Sequence, residues 1–221
     1  MKKNIIVTGG CGFIGSHIVD KMINDGCNVI VLDNMSTGLE KNKNSKAKYI
    51  DYDIENIIDQ PNEFIQILNS NNIKEVYHLA AMADVRVSII DPIKCYRINQ
   101  LASVALADSC INAGVEKLVF TSTSAIYGQP IKLPVDENHQ KIPISPYGLS
   151  KLAFERYLFY KSLDNKIEIA IFRLPNVYGP RQRPDLEAGV VAIFYEKIKN
   201  NDPIDIFGDG KQTRDWVHVN D

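Results

Sequence analysis

A glycine-rich loop between the first predicted strand and the first predicted helix constrains the fold more than any other feature. "NIIVT" at 4–8 is a β-branched run that predicts a buried strand, and "FIGSHIVDKMIND" at 13–25 has helical apolar spacing. Between them, Gly10, Gly12 and Gly15 fit the G-x-G-x-x-G pattern. Such a loop allows a tight turn and a close approach of the backbone to a pyrophosphate at the helix N-terminus. The pattern therefore predicts a dinucleotide-binding unit.

Strand and helix patterns alternate along the rest of the chain. Near-continuous apolar runs predict further buried strands at 28–33, 47–53, 73–81, 116–123 and 167–174. Helical patterns lie between them at 63–70, from near Asp91 to Ala113, and after Ser145. Buried strands that alternate with helices form parallel sheets covered on both faces, with right-handed connections. The predicted fold class is therefore α/β, a doubly wound, Rossmann-like parallel sheet.

The composition of the 221 residues gives no sign of a nucleic-acid or membrane partner. The formal net charge is -2 and the sequence pI is about 6.1, so neither a polyanion nor an anionic membrane surface is favoured. No stretch approaches the length of a membrane span. The four cysteines have no paired spacing and are interpreted as reduced thiols of a cytoplasmic protein: Cys11, Cys27, Cys95 and Cys110.

An acidic residue stands at the end of the second predicted strand. Asp33 follows the glycine loop at the place where a carboxylate hydrogen-bonds the adenosine ribose of a dinucleotide. A carboxylate there would repel the 2′-phosphate of NADP. No arginine follows it directly, because the next residues are Asn34, Met35 and Ser36. The sequence therefore predicts NAD as the cofactor rather than NADP.

A tyrosine and a lysine four residues apart occur three times, and only their context distinguishes the pairs. The pairs are Tyr147/Lys151, Tyr157/Lys161 and Tyr195/Lys199. Ser145 and Pro146 favour a helix start just before Tyr147. The phenol then lies at the positive end of the helix dipole, with Lys151 one turn on, and both effects would lower the tyrosine pKa as a general base requires. The other two pairs lie inside or late in their helices and are interpreted as amphipathic surface pairs.

The strand before this helix ends in hydroxyl side chains. "TSTSAIYG" at 121–128 lies at the carboxyl edge of the predicted sheet, where ligands bind in such folds. Ser122 and Thr123 are candidates to position a substrate hydroxyl. With Tyr147 and Lys151, one of them would complete an acid–base set for a substrate alcohol.

Seven motifs follow one another from residue 4 to residue 221. They are "TGGCGFIGSH", "LDNMSTG", "HLAA", "FTSTSAIYG", "SPYGLSK", "RLPNVYGPRQ" and "GDGKQTRDWVHVND". In this combination and order the chain resembles the extended short-chain dehydrogenase/reductase family, within it the NAD-dependent epimerase/dehydratase group, and especially the UDP-glucose 4-epimerases. The resemblance implies an NAD-binding Rossmann domain at 1–174, which includes the Tyr/Lys helix, and a partial nucleotide-sugar-binding lobe at 175–221.

The resemblance also implies roles for individual residues. The implied NAD contacts are Gly9, Gly12, Phe13, Ile14, Gly15, Asp33, Asn34, Ser36, Thr37, Gly38, Asp53, Ile54, Leu79, Ala80, Ala81, Asn99, Ser122, Tyr147 and Lys151. The implied catalytic set is Thr123, Tyr147 and Lys151. The implied contacts to the nucleotide sugar are Thr123, Asn176, Val190, Ile206 and Arg214.

The implied activity is epimerisation at C4 of a UDP-hexose, UDP-glucose or UDP-galactose, through a 4-keto sugar. Tyr147 would take the proton of the 4-hydroxyl while a hydride passes from C4 to NAD, and the hydride would return to the other face. The alternatives are a UDP-N-acetylhexosamine 4-epimerase, a 4,6-dehydratase, and an NAD-binding protein with little catalysis. Dehydratases carry an acid where Ala125 stands, which disfavours that branch. Met82 replaces an amide that relatives often have near the nicotinamide.

A homodimer is also implied, paired through the helix near 91–113 and the helix that begins at Ser145. The second helix has more apolar surface than one sheet face needs. Its apolar residues are Leu152, Phe154, Tyr157, Leu158 and Phe159.

Relatives continue past the residue that matches Asp221, by roughly another third of the chain. We therefore expect the 221-residue form to bind NAD well and to expose apolar surface around 189–207. We also expect it to be weak or inactive as an epimerase by itself, because contacts to the diphosphate and ribose would be missing.

The histidines and the single tryptophan are assigned structural roles. His17, His78, His139 and His218 show no metal-ligand spacing. His78 ends a buried strand and is interpreted as a hydrogen-bonded core histidine. Trp216 alternates with Val217 and Val219 in a strand-like run and is expected to pack in a core.

Overall fold

A computed structural model describes residues 2–164, 166–186 and 189–221, and most of them build one parallel sheet with helices on both faces. The six strands lie in the order β3-β2-β1-β4-β5-β6, and every neighbouring pair is parallel. They are β1 (Asn4–Thr8), β2 (Asn28–Asp33), β3 (Lys48–Asp51), β4 (Glu75–His78), β5 (Lys117–Thr123) and β6 (Glu168–Leu174). The predicted fold class is confirmed.

The helices connect the strands and cover the sheet. They are α1 (Phe13–Asn24), α2 (Asn56–Asp59), α3 (Pro61–Ser70), α4 (Val85–Ile90), α5 (Pro92–Tyr96), α6 (Ser103–Asn112), α7 (Pro146–Ser162) and α8 (Val190–Asn200). Short 3-10 turns occur at Glu40–Asn42 and Ser124–Tyr127. None of the helices within the described ranges is long and apolar enough to cross a membrane.

Successive residues of β1 enter two different cores, which explains its unbroken apolar run. Ile5 and Val7 pack with Val31 on the α1 side of the sheet. Ile6, between them, packs with Leu106 and other residues of the larger core on the opposite side. All of these side chains are buried, and burying each one contributes about 1.5–3 kcal/mol relative to leaving it exposed. Both faces of the sheet are therefore needed to stabilise the central strand.

The order of the strands leaves a crevice at the carboxyl edge of the sheet. From β1 the chain builds β2 and β3 on one side, and β4, β5 and β6 on the other. The loops after β1 and β4 therefore diverge, and ligands bind at this point in open α/β sheets. β3 and β4 end two and three residues earlier than predicted, since 52–53 and 79–81 belong to loops at this edge.

The helix predicted from Asp91 to Ala113 is interrupted by a change of pitch. α5 begins at Pro92, residues Arg97–Ala102 form a π-helical segment, and α6 continues to Asn112. Asp91 itself is not helical (φ -127°, ψ 76°) because a residue before proline is forced away from helical geometry. A separate helix, α4, which the sequence patterns did not predict, precedes it and is capped by the Asp84 carboxylate.

α7 begins as predicted, but its apolar residues are used differently. The Ser145 hydroxyl oxygen accepts a hydrogen bond from the Gly148 amide at 3.1 Å, and Pro146 occupies the first turn. Phe154 and Leu158 are fully buried against the sheet, so the prediction that they add to a surface for a second subunit is wrong. Phe159, in contrast, is exposed.

The chain after β6 forms a smaller layer of its own. β7 (Asn176–Tyr178) and β8 (Trp216–His218) make a two-stranded parallel ribbon, and none of the described side chains of α8 is buried. Trp216 contacts the Tyr178 ring edge-on and is 37% exposed, so its predicted core packing is wrong. The ribbon is too narrow to enclose an indole. The division of the chain at residue 174 stays a prediction.

Candidate active site

A cavity of about 490 Å³ opens at the carboxyl edge of the sheet, within the size range of small-molecule sites. Most of the residues with implied NAD contacts lie on its wall. They are Gly9, Gly12, Phe13, Ile14, Gly15, Asp33, Asn34, Ser36, Thr37, Asp53, Ile54, Leu79, Ala80, Ala81, Ser122, Tyr147 and Lys151. The fold thus brings together residues that lie up to 142 positions apart in the sequence, from Gly9 to Lys151. Their individual roles stay predictions.

The glycine loop leaves the first turn of α1 open to this cavity. Gly9 has a φ of 70°, and a Cβ there would lie 2.8 Å from the Ala80 nitrogen. A Cβ on Gly15 would collide with the Gly9 carbonyl oxygen. Among the described residues, no side chain caps α1 at Gly12, so its first backbone N–H groups face the cavity without a side-chain acceptor. This arrangement suits a diphosphate group.

The Asp33 carboxylate is held in place at the end of β2. One oxygen accepts a hydrogen bond from the Cys11 amide at 2.8 Å, and the other accepts one from the Met35 amide at 2.9 Å. Gly38 lies behind this carboxylate, where a Cβ would be 3.0 Å from Oδ1, and does not line the cavity. The Asn34 amide donates to Asp53 at 2.9 Å and thereby joins two of the predicted adenosine contacts.

Tyr147 and Lys151 line the cavity on the β5 side of β1, whereas Asp53 lines it after β3, on the other side of β1. Lys151 is 3% exposed, its Nζ donates to the Thr121 carbonyl oxygen at 3.0 Å, and it lies 4.6 Å from the centre of the Phe120 ring. The Tyr147 amide donates to the Ser88 hydroxyl at 3.2 Å, which ties the first turn of α7 to α4. A buried ammonium one turn from a phenol can stabilise the phenolate, as proton removal from an alcohol requires.

The other two Tyr/Lys pairs, both within the described residues, are not on this wall. Tyr157 donates to the Asp108 carboxylate, and Lys161 forms an ion pair with the same carboxylate at 2.8 Å. Burial and the Asp108 carboxylate raise the pKa of Tyr157 to about 12, which makes it a poor base. The two side chains are half-buried and join α7 to α6 through Asp108. Tyr195 on α8 is exposed, as predicted.

The two hydroxyl candidates on β5 have different surroundings. Thr123 is 9% exposed, and its Oγ1 accepts a hydrogen bond from the Ala125 amide at 3.1 Å. It is not on the cavity wall, whereas Ser122 is. The Ser122 Oγ is buried and has no hydrogen-bond partner among the described residues. The placement favours Ser122 as a ligand contact, and Thr123 turns the chain at the strand end.

Asn99 lies one layer behind the cavity. Its Oδ1 accepts a hydrogen bond from the Met82 amide at 2.8 Å, and its Nδ2 donates to the Met82 carbonyl at 2.9 Å and to the Ser150 hydroxyl at 3.2 Å. It is 1% exposed and comes from the π-helical segment. Because π-bulges re-aim a side chain, the local pitch accounts for this position. Asn99 therefore holds the loop after β4 against α7.

The residues with implied sugar-nucleotide contacts are not gathered around this cavity. Asn176 donates to the Asp215 carbonyl at 3.0 Å and so joins β7 to the chain before β8. Arg214 is exposed, and its Nη1 donates to the Thr213 carbonyl. Val190 and Ile206 are exposed in the smaller layer. Their roles stay predictions.

His78 is a hydrogen-bonded core histidine, which confirms its interpretation. One ring nitrogen lies 2.8 Å from the Thr8 hydroxyl, and the other lies 2.8 Å from the Ser103 hydroxyl. Complete burial, together with the Lys151 charge, lowers its pKa to about 3. The ring is therefore neutral at physiological pH and links Thr8 on β1 to Ser103 on α6.

Among the wall residues that the sequence analysis did not predict, three polar ones come from the chain after β7. Arg181, Gln182 and Arg183 lie on the cavity wall although they follow β7 in the chain. The motif "RLPNVYGPRQ" contains the first two, but strand and helix patterns do not show that a loop folds back onto α1. The available signal was the pair of arginines, Arg181 and Arg183, shortly after "YGP".

Comparison with known proteins identifies the family. The NAD dependent epimerase/dehydratase family matches residues 5–221. The chain belongs to this family. It is similar to the structure of UDP-glucose 4-epimerase from Thermotoga maritima with UDP-glucose, at 42% identity and a TM-score of 0.93 over 98% of this chain and 70% of that one. It is also similar to UDP-glucose 4-epimerase from Thermus thermophilus in complex with NAD, at 39% identity and a TM-score of 0.89 over 98% and 70% of the two chains.

A third similar structure has a different sugar nucleotide. It is the UDP-N-acetylglucosamine 4-epimerase from Methanobrevibacter ruminantium in complex with UDP-N-acetylmuramic acid. The identity is 36% and the TM-score is 0.91, over 99% of this chain and 70% of that one. This chain thus spans about 70% of the length of each of these three structures.

Family membership confirms both the resemblance and NAD as the cofactor. The cavity fits such a dinucleotide. The uncapped first turn of α1 can receive the diphosphate and the fixed Asp33 carboxylate can receive a ribose. The Ser122 Oγ, which has no partner among the described residues, lies towards the Tyr147 end.

The Asp33 carboxylate leads to a prediction about cofactor choice. We expect the protein to bind NAD more tightly than NADP, because the carboxylate favours a ribose hydroxyl and repels a 2′-phosphate. Asp33→Ala should weaken NAD binding roughly ten-fold, because a charged hydrogen bond is lost. It should also reduce the difference between the affinities for NAD and NADP. Isothermal titration calorimetry measures both affinities. Equal affinity of the unaltered protein for the two cofactors would contradict the assignment.

Proposed function

We propose that this chain catalyses NAD-dependent epimerisation at C4 of a UDP-hexose, with UDP-glucose and UDP-galactose as the substrate pair. The observation that carries the proposal is that Tyr147 and Lys151 share one cavity with the glycine loop and Asp33. A cofactor bound along that wall would extend from the Asp53 end towards the phenol. NAD, when bound, would accept a hydride from a sugar carbon and return it.

The residues of this chain would handle the proton and the position of the sugar. The Tyr147 phenolate would take the proton of the reacting sugar hydroxyl, and the phenol so formed would later give it back. The Lys151 ammonium, fixed on the Thr121 carbonyl, would stabilise the phenolate before the proton is taken and after it is returned. The hydroxyl of Ser122 or Thr123 would hold the reacting oxygen near the phenol. Epimerisation requires the hydride to leave one face of the sugar C4 and to return to the other face. The sugar would therefore turn over while its nucleotide stays bound.

The choice of C4 epimerisation rests on relatives and on one missing acid. The Thermotoga maritima relative is a UDP-glucose 4-epimerase with UDP-glucose bound, and the Methanobrevibacter ruminantium relative supports a UDP-N-acetylhexosamine as the second candidate. A 4,6-dehydratase needs a further base for the C5 proton. Ala125 stands where dehydratases have that acid, and alanine cannot accept a proton. Two epimerase substrates therefore remain as candidates.

Product identification tests the proposal. The purified chain, supplied with NAD, is incubated separately with UDP-glucose, UDP-galactose and UDP-N-acetylglucosamine, and the products are identified by proton NMR. Conversion of UDP-glucose into UDP-galactose, and the reverse, would support the proposal. Conversion of UDP-N-acetylglucosamine alone would establish the second candidate. Slow conversion would agree with the weak activity expected above for the 221-residue form. A folded, NAD-bound protein that converts none of them would favour the NAD-binding alternative with little catalysis.

We also propose a homodimer that pairs through α5, the π-helical segment and α7. Ile93 and Leu101 are exposed on the first two, and Tyr160 and Leu163 are exposed on or just after α7, which packs beside them. Apolar side chains at this density favour burial against a second copy. The cytoplasmic location inferred from the cysteine pattern stays a prediction.

Light scattering tests the dimer. At micromolar concentration we expect twice the chain mass of 24.9 kDa. Leu101→Glu should shift the mass towards that of one chain, because a charge cannot be buried unpaired at an interface. Val190→Glu, on α8 away from these helices, is the matched control. A single-chain mass for the unaltered protein would contradict the proposal.

A further inference from the structure

Residues 179–186, here called the strap, follow β7 and run along the cavity wall between α1 and the loop after β2. Arg181, Gln182, Arg183 and Leu186 of the strap line the cavity. No role for the strap follows from the motifs of the sequence. Its contacts, in contrast, point to one.

Three contacts fix the strap to the part of the chain that forms the dinucleotide site. The Pro180 carbonyl oxygen lies 2.9 Å from the His17 Nε2, and the Arg181 Nη2 donates to the Asp20 carboxylate at 2.6 Å. His17 and Asp20 lie one turn apart on α1, the helix that begins at the glycine loop. The Arg183 Nη1 donates to the Thr37 carbonyl at 3.1 Å. The strap is therefore held at both edges of the cavity.

The Asp20 carboxylate is well placed to hold the Arg181 guanidinium. One oxygen accepts from Arg181 and the other accepts from the Asn44 amide at 2.6 Å. Burial acts to raise the pKa of Asp20, but these two hydrogen bonds and the arginine charge outweigh it, so the pKa is lowered and the carboxylate stays charged. A planar guanidinium fixed on one side by a carboxylate presents its remaining N–H groups in a defined direction.

Two buried polar atoms of the strap have no partner within the described part of the chain. They are the Arg181 Nη1 and the Gln182 Oε1. Buried polar atoms in folded proteins are nearly always paired, so such a donor at a ligand cavity indicates a partner supplied by the ligand. Arg181 also has a φ of 71°, a conformation that a non-glycine residue keeps only where its surroundings demand it.

The charge of the cofactor shows which part of it suits Arg181. The diphosphate is the anionic part of NAD, and the residues of the glycine loop from Gly9 to Gly15 include no cation. Backbone N–H groups supply only partial charges there. Arg183 is already engaged by the Asp185 carboxylate, whereas Arg181 keeps its Nη1 for another acceptor.

We propose that Arg181 is a cofactor-binding residue whose guanidinium contacts the diphosphate of bound NAD, and that Asp20 is the positioning residue that holds it there. The strap then joins the smaller layer of the chain to the cofactor, because Arg181 follows β7 by only three residues. The inference depends on NAD as the cofactor and not on the identity of the sugar.

The test measures NAD binding rather than turnover. Bound NAD is first removed from the protein. The affinity for NAD is then measured by calorimetry, and the dissociation rate of labelled NAD is measured by a chase with excess unlabelled NAD. Both measurements are made at low and at high salt. Arg181→Met should weaken NAD about 10- to 100-fold, speed its dissociation, and reduce the salt dependence of binding. Arg181→Lys keeps the charge but not the planar fork, so its loss of NAD affinity should be smaller. This variant replaces Arg181→Met in the test if the methionine variant does not fold. The control is Arg97→Met, a surface arginine paired with Glu55 and Asp59.

Asp20→Asn distinguishes a positioning role from a structural one. It should weaken NAD binding in the unaltered background but have little further effect in the Arg181→Met background, because the two residues act through one contact. Equal effects of Asp20→Asn in both backgrounds would overturn its role as the positioning residue. An unchanged NAD affinity in folded Arg181→Met, or in Arg181→Lys where only that variant folds, would overturn the proposal as a whole.

Discussion

Tyr147→Phe should lower the turnover of a UDP-hexose by roughly 10²- to 10⁴-fold while NAD binding stays nearly unchanged. The hydroxyl would serve proton transfer, and general acid–base groups contribute about this much to a rate. The residue lines the cavity, and phenylalanine keeps the ring there. It also keeps the hydrogen bond that the backbone N–H of residue 147 donates to the Ser88 hydroxyl. Turnover is measured by NMR of the sugar nucleotides, and NAD affinity by calorimetry.

Tyr157→Phe is the matched control for this prediction. It removes a hydroxyl from the same helix, but one that donates to Asp108 between α7 and α6. We expect a loss of about 1 kcal/mol in the free energy of unfolding and no change in turnover. Tyr195→Phe, at an exposed position on α8, should change neither quantity. If Tyr157→Phe reduced turnover as much as Tyr147→Phe, the assignment of the base would be wrong.

The sheet and its carboxyl edge could be predicted because they depend on local patterns. The run from Asn4 to Thr8, the glycines after it and the second strand ending at Asp33 each have a distinct period or composition. Parallel pairing then follows from the alternation with helices, and the crevice follows from the strand order. The pair Tyr147/Lys151 could be selected from three because Ser145 and Pro146 mark a helix start.

Other features depend on tertiary contacts that no local pattern reports. Asn99 faces the loop after β4 rather than the cavity, because a π-helical segment changes the direction of its side chain. Phe154 and Leu158 look like surplus apolar residues in the sequence, but the larger core accommodates both. The strap contacts α1 across 161 sequence positions, from Asp20 to Arg181, and only the folded chain brings them together.

Arg173→Met should be the most destabilising single change among these predictions. Arg173 on β6 contacts the Glu155 carboxylate through Nε at 3.1 Å and through Nη2 at 2.8 Å, and its Nη1 donates to the Tyr127 hydroxyl at 2.9 Å. The Glu155 side chain is only 5% exposed and lies on α7 one turn after Lys151. Removing the cation leaves a buried carboxylate unpaired, and we expect the free energy of unfolding to fall by about 3 kcal/mol. Urea denaturation followed by circular dichroism measures the loss.

Two further variants separate the buried charge from the loss of packing. Arg97→Met removes an arginine from the exposed ion pairs with Glu55 and Asp59, and it should cost less than about 1 kcal/mol because water screens those charges. Arg173→Met combined with Glu155→Leu removes both partners, so no carboxylate is left buried, and most of the lost stability should return. If the double variant were as unstable as Arg173→Met alone, the unpaired carboxylate would not be the cause. The loss would then come from the contact with Tyr127, which anchors the turn that follows Thr123.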